Sequence, residues 1–480
     1  MALYATQLEC VLTILAIVTL LSDAFRPSRD KRRLGHLLAL LVAVTLGYSF
    51  VITPVQDSLF HGMYRLDAFA LFFKRLFLAA TALVLVASAE FSERLEAGVA
   101  EFYALVLLAA TGMLFVASVN DFVLLFVSLE LVTVAFYILT SFLRRHTASL
   151  EAGTKYLILG AMASGFTVYG IAYIFGTTGT TNFDTLAAVL KKGTTGTAFT
   201  LGMLFVLTGL AFKISSVPAQ IWTPDVYQGA PTPVTAFLAV GSKAAGVALV
   251  LRVLLAGLLP AQALWTNVVL ALSAATLIYG NLGAIPQRNI KRLLGYSSIG
   301  HAGYLLMGVA AANMLGAQAT LFYLGQYAFT NLCAFLVVIA VTNVTANDEM
   351  TGFNGLGKRS PFLGLALFLA MMSLAGVPPL SGFFGKFQLF LAVIERAQTD
   401  WHFYTLAGIG AVAVVVSLYF YLNVARAIYL EEPADATPIP VSVPMRVALW
   451  VCLAAMIGLG LFPRPLVEAT IQAANIFSLR

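Results

Sequence analysis

Four side chains that can carry charge stand inside runs of apolar residues: Glu130, Lys213, Lys243 and Lys386. A charge at the centre of a bilayer costs roughly 2.5–3.5 kcal/mol on insertion scales, so four left unpaired would cost about 10–14 kcal/mol. Residues kept at that cost have two uses: locking helices together as fixed ion pairs, or taking up and releasing protons. A Glu130–Lys213 pair would hold Lys213 protonated, because a carboxylate favours the ammonium that desolvation disfavours. Separating the pair would release the proton toward Lys243, and Lys386 could deliver it to the far side. Each proton moved against about 100 mV requires about 2.3 kcal/mol. Opening or closing one buried ion pair exchanges energy of that order.

Neutral polar residues accompany the charges at helical spacing. Glu130, Thr133 and Tyr137 share a face at i, i+3 and i+7, and Lys213, Ser216 and Gln220 would do so if one helix ran through them. His301 falls with Ser297, Ser298 and Tyr304, and a further stripe holds Tyr323, Gln326, Tyr327 and Thr330. A single stripe of this kind can be glue between helices, worth about 0.6 kcal/mol per hydrogen bond. Stripes that recur on the helices carrying the charges read as a hydrated path. The chain has no GxGxxG turn, Walker A loop or CxxC, so the energy for moving protons must come from a partner. Cys10, Cys333 and Cys452 each lie in an apolar run without iron–sulfur or zinc spacing.

The elements that must position these groups follow from composition. With 60% apolar and 10% charged residues, the chain is far from the soluble norm of about 25% charged. Apolar runs predict an all-α, polytopic transmembrane bundle of about fourteen helices near 7–24, 35–53, 68–89, 101–119, 121–143, 152–176, 199–217, 233–256, 264–285, 297–314, 317–342, 361–393, 404–428 and 444–462. The net charge of +6 sits in short loops, which points to topology and excludes a nucleic-acid surface. Loops 25–34, 143–152, 286–296, 343–360 and 426–446 are placed on the cytoplasmic side with Arg144, Arg145, Arg288, Lys291, Arg292, Lys358 and Arg359. Lys191, Lys192 and Arg464 are exceptions, and both termini face away from the cytoplasm. The basic cluster Arg26, Arg29, Lys31, Arg32 and Arg33 follows the first apolar run, so that run is expected to be a retained helix rather than a cleaved signal.

The seventh and twelfth predicted helices run into Pro218 and into Gly376-Val377-Pro378-Pro379, and both are expected to break inside the membrane. Two broken helices five apart suggest two inverted repeats. The resulting division is 1–100 for the first three helices, 101–260 and 261–430 for the repeats, and 431–480 for the last helix and tail.

LLFVSLELVTVAFYIL (124–139), AFKISSVPAQIWTPDVYQGAPTPVTAFLAVGSKAAG (211–246), NIKRLLGYSSIGHAGYLL (289–306) and SLAGVPPLSGFFGKF (373–387) resemble the proton-pumping, antiporter-like subunits of respiratory complex I. WTPDVYQGAPTPVTAFL is similar to the form found in the N branch of that family. Lys386 stands where the M branch typically has a glutamate, and the chain stops before the long lateral helix of the L branch. The resemblance implies that Glu130, Lys213, Lys243 and Lys386 are the channel residues, with Glu130 and Lys213 the coupled pair. His301 would join the central axis and Lys291 its cytoplasmic end.

It further implies a subunit of an NADH–quinone oxidoreductase, a translocase with no redox chemistry in this chain. NADH, FMN, iron–sulfur clusters and quinone would then be held by partner subunits. The partners would be membrane-arm subunits, notably M and K, in the inner membrane of a bacterial cell. The rival reading is a subunit of a multisubunit sodium–proton antiporter; a second is a scaffold whose charges only lock helices. If Lys386 need only titrate, Lys386→Glu will impair proton pumping less than Lys386→Ala, and equal damage would contradict that role.

Overall fold

The computed structural model describes residues 2–25, 30–55, 58–95, 98–193, 196–433, 435, 437–477 and 479; Arg26 and Arg29 of the basic cluster lie outside them. Among the described residues the architecture is all-helical, with isolated β-bridges and no strand. The principal helices are α1 (Gln7–Phe25), α2 (Lys31–Ser49), α3 (Ala68–Phe91), α4 (Val99–Ala117), α5 (Phe122–Thr140) and α6 (Thr147–Thr178). They continue as α7 (Thr197–Ile214), α8 (Trp222–Gly229), α9 (Thr232–Gly257), α10 (Gln262–Ala284), α11 (Ile290–Ala311) and α12 (Met314–Thr345). The last are α13 (Pro361–Ala375), α14 (Ser381–Ala397), α15 (His402–Tyr429), α16 (Val443–Leu461) and α17 (Arg464–Ala474).

Among the described residues, eleven helices are long and apolar enough to cross a membrane. The predicted segments that miss this measure are α2, α11 and the α13–α14 pair, each for a physical reason. α2 opens with Lys31, Arg32 and Arg33, and α13 and α14 are two short pieces of one broken element. α11 is rich in Gly, Ser and His because it faces other helices rather than lipid: all of its residues except Arg292 and Tyr296 are buried. Glycines let its backbone approach α10 closely, where a Cβ on Gly303 would lie 2.8 Å from the Leu277 nitrogen.

Both expected breaks occur, and their local chemistry matches. α7 ends in Ser215 at φ 63°, with Ser216 N–H donating to Ala211 O at 2.8 Å. α13 ends in Gly376 at φ 90°, with Val377 N–H donating to Met372 O at 3.0 Å. Each is a left-handed cap closed by a bond from C″ back to C3, followed by proline that cannot continue the helix. The helix ends leave carbonyls to satisfy. Trp222 Nε1–H reaches Phe212 O at 3.1 Å, and Lys386 Nζ reaches Ala375 O at 2.9 Å.

Polar contacts between loops sort the chain into two ends. At one end Arg32 pairs with Glu90, Lys155 and Arg292 clamp Asp225 at 2.7 and 2.6 Å, and Arg359 Nε donates to Thr437 O at 3.2 Å. At the other, Arg65 meets Asp184 at 2.7 Å and Arg252 meets Asp67 through two bonds of 2.7 and 2.8 Å.

Two helix starts and one further helix are among the differences from expectation. α2 and α11 begin at Lys31 and Ile290, because Asp30 and Asn289 cap them by accepting the Arg33 and Arg292 N–H groups. Lys291 is therefore in the first turn of a helix, not in a loop. α17 was not anticipated; its buried Thr470, Ala473 and Ala474 lie on one side of a short amphipathic helix.

Arg252 is 1% exposed and is the charge partner of Asp67. Arg252→Ala will strand that carboxylate and destabilise the protein by about 3–5 kcal/mol, the cost of breaking one side of a buried pair. The readout is the thermal midpoint in detergent; Arg252→Met with Asp67→Asn should recover part of the loss, and an unchanged midpoint in Arg252→Ala would refute the assignment.

Candidate functional site

α5, α6 and α7 meet around the first break. Lys213 lies in the last turn of α7, 5% exposed, and its ammonium donates to the Thr133 hydroxyl on α5. Glu130, one turn before Thr133, accepts instead from Ser164 Oγ on α6 at 2.5 Å. The expected Glu130–Lys213 ion pair is thus not a contact. The face is correct, but Thr133 occupies the position opposite Lys213 and Glu130 turns toward α6.

The expected Lys213–Ser216–Gln220 stripe does not form, since the helix ends before it. Ser216 Oγ pairs with Thr276 Oγ1 on α10 at 2.9 Å. Ser215 Oγ, Gln220 Oε1, Thr223 Oγ1 and the Tyr137 hydroxyl are buried without a partner among the described residues. Buried polar atoms of this kind are where proteins place ordered water.

Lys243 follows a π-helical turn, Leu238–Ser242, which widens α9 and redirects the side chains after it. Its ammonium donates to Ser298 O at 2.5 Å and to the Ser298 hydroxyl on α11. The Ser298 hydroxyl also lies 3.2 Å from the Tyr227 and Tyr327 hydroxyls. Toward Lys213, Tyr156 stacks on Phe212 at 5.9 Å and packs on Tyr137 at 5.2 Å.

Beyond Lys243 the buried polar residues continue, joined partly by hydrogen bonds and partly by ring packing. The His301 ring sits 4.9 Å from that of Tyr327, with Nδ1 at 2.5 Å from the Tyr323 hydroxyl and Nε2 at 3.0 Å from that of Tyr421. Ser297 joins Tyr421 at 2.5 Å. Tyr304 packs against Tyr323, and the Lys386 ammonium lies 4.8 Å over the Tyr304 ring. Thr330 contacts Ser373 at 3.2 Å and Gln326 at 3.4 Å, so the α12 stripe lines the second break. The stripes expected on α11 and α12 therefore meet, and they enclose His301.

Lys291 sits at the end of the bundle that carries Asp225 and Asp348. Its Nζ is 3.2 Å from Ala230 O, just past α8, and 3.4 Å from Asp348 Oδ2.

The sequence reading missed a fifth buried amine. Lys74 on α3 is 0% exposed, and its Nζ is 2.6 Å from both Glu9 Oε1 on α1 and the Tyr64 hydroxyl. The signal was present, since Lys74 and Arg75 interrupt the apolar run AFALFFKRLFLAA. Two turns from a helix start, such residues read as snorkelling to the interface.

Comparison with known proteins places this arrangement. Residues 119–417 match the family described as NADH:quinone oxidoreductase/Mrp antiporter, TM. The chain is 40% identical to NADH-quinone oxidoreductase subunit N of Desulforamulus reducens over 98% of both chains. It is 38% identical to the Moorella thermoacetica subunit of the same name over 99% of both. A chain of respiratory complex I from Thermus thermophilus superposes with a TM-score of 0.82 at 32% identity, over 96% of this chain and 99% of that one. A chain of the Mrp complex from Dietzia sp. shares the fold, with a TM-score of 0.84 at 22% identity over 99% of this chain and 98% of that one. The chain belongs to the NADH:quinone oxidoreductase/Mrp antiporter membrane family, on its NADH-quinone oxidoreductase subunit N branch.

Proposed function

We propose that the chain is the subunit N component of the membrane arm of a proton-pumping NADH–quinone oxidoreductase, and that its buried polar line carries the protons. The observation that supports this most directly is the buried row Lys243, Ser298, Tyr327, His301, Tyr323, Tyr304 and Lys386, in which hydrogen-bonded stretches are joined by ring contacts that ordered water would have to bridge. Each member can donate or accept a proton or hold an ordered water, and none faces lipid. A scaffold would need only closed ion pairs, yet these lysines rest on neutral oxygens.

In this reading fourteen spans cross the membrane, α7–α8 and α13–α14 each counting as one. Residues 101–260 and 261–430 form two inverted repeats, and the matching caps at Ser215 and Gly376 support that symmetry. The end carrying Lys155, Arg292, Lys291 and Arg359 faces the cytoplasm of a bacterial cell, and both termini face away from it. Glu130, Lys213 and Thr133 form the input group. When a driving subunit moves Lys213 between Thr133 and Glu130, the charge at the break changes partner and a proton passes to Lys243. Lys386 is the delivery group, and Lys291 lies at the cytoplasmic end of the line.

The translocase activity belongs to the whole assembly. NADH, FMN, iron–sulfur clusters and quinone are assigned to other subunits, and M and K are the proposed membrane-arm neighbours. The sodium–proton antiporter reading rests on a family description that both groups share and on fold likeness at 22% identity, whereas the relatives of about 40% identity carry the subunit N name.

Lys213→Ala tests the reading in the assembled complex in sealed vesicles. Assembly should be intact, and proton-coupled quinone reduction should fall about fivefold to tenfold, equivalent to about 1–1.4 kcal/mol. A normal proton-to-electron ratio and rate in an assembled variant would reject the role of Lys213.

A further inference from the structure

A crevice of about 400 Å³ lies away from the polar line, between α2, α3, α12, α16 and α17. Its walls are almost wholly apolar, with Leu71, Phe329, Leu459 and Leu466 among them. It starts at the end of the bundle that holds Ile52 to Pro54 and reaches Ala79. Ala79 is eleven residues past Ala68, the start of α3, which is about 17 Å along a helix axis. Half of a hydrocarbon core of about 30 Å is nearly the same length. The crevice therefore has the depth of one lipid leaflet.

One cation stands in it. Arg75 is seven residues into α3, and helical side chains lean toward the N-terminus. Its guanidinium accordingly returns to the level of the α2 C-terminus, where Nη2 donates to Ser49 O at 3.2 Å and the group stacks 4.6 Å over the Phe50 ring. Its Nε is buried with no partner, and no carboxylate pairs with Arg75 among the described residues. The adjacent Lys74 is already neutralised by Glu9. A guanidinium with no carboxylate partner among the described residues, at the mouth of an apolar slot one leaflet deep, suits an anion that carries a hydrocarbon tail. Guanidinium and phosphate oxygens match in geometry and charge, and Gln472 of α17 lies at the same crevice as a neutral donor.

We propose that this crevice is a binding site for one anionic phospholipid, its phosphate on Arg75 and an acyl chain lying along α3 toward Phe329. The site belongs to the leaflet at the Ile52–Pro54 end; calling that leaflet non-cytoplasmic rests on the orientation proposed above. α17 then acts as a flap, its Leu466 face closing over the chain.

The test is electron cryomicroscopy of the intact complex in nanodiscs of phosphatidylglycerol with brominated acyl chains, compared with nanodiscs of brominated phosphatidylcholine. The expected result is bromine density in the crevice and a phosphate in contact with Arg75, with occupancy reduced at least about fivefold in phosphatidylcholine. Arg75→Gln should reduce phosphatidylglycerol occupancy similarly. Leu71→Trp, which fills the slot but keeps the cation, should abolish it, so loss does not depend on one variant folding well. An empty crevice, a neighbouring subunit's side chain on Arg75, or equal occupancy by the two lipids would overturn the proposal.

Discussion

An ammonium group taken out of water must be given oxygen atoms, and the whole architecture follows from where those oxygens come from. Lys213 rests on a threonine hydroxyl, Lys243 on a serine carbonyl and hydroxyl, and Lys386 on a helix-terminal carbonyl. None of the three is in contact with a carboxylate. Lys74 is the contrast, held at 2.6 Å by Glu9. A carboxylate in contact fixes both charges, since parting them leaves a buried charge uncompensated. Neutral oxygens bind the ammonium by hydrogen bonds alone and leave its protonation to follow its surroundings. One chain thus contains a locked pair and three lysines suited to exchange.

A broken helix supplies one of those oxygens, the Ala375 carbonyl that receives Lys386. A continuous helix consumes its own carbonyls, whereas a helix that stops inside the membrane leaves several free and concentrates the negative end of its dipole there. Lys386 uses one such carbonyl directly, and Lys213 sits in the last turn of the other broken helix. The π-turn in α9 serves Lys243 differently, by altering the helical phase so that the amine meets α11. α11 can be the polar centre of the bundle because its glycines bring α10 close and shield its serines and histidine from lipid.

Charges held in carboxylate pairs are placed mostly toward the ends of the bundle. The Asp225 clamp, the Arg252–Asp67 pair and the Arg32–Glu90 pair tie loops together where helices emerge. They hold the bundle rigid around the interior path without placing a further fixed charge beside it. Arg75 departs from this pattern, since its neighbours provide a stacking ring and a carbonyl but no anion.

The sequence alone singled out four ionisable residues inside apolar runs, though not Lys74, and the places where the helices fail. A charge in an apolar run and a proline after a helical run are local facts, so Glu130, Lys213, Lys243, Lys386 and both breaks were legible. Face periodicity was local as well, and the Ser297–Tyr304 and Tyr323–Thr330 stripes stand as read. What only the tertiary structure decided is who meets whom. Thr133 rather than Glu130 receives Lys213, because a small rotation of α5 against α7 chooses between residues one turn apart. Tyr421 reaches His301 from 120 positions away, and Glu9 finds Lys74 across two helices. No spacing rule encodes such encounters, which are fixed by the packing angles of whole helices and by the close approach that glycine permits.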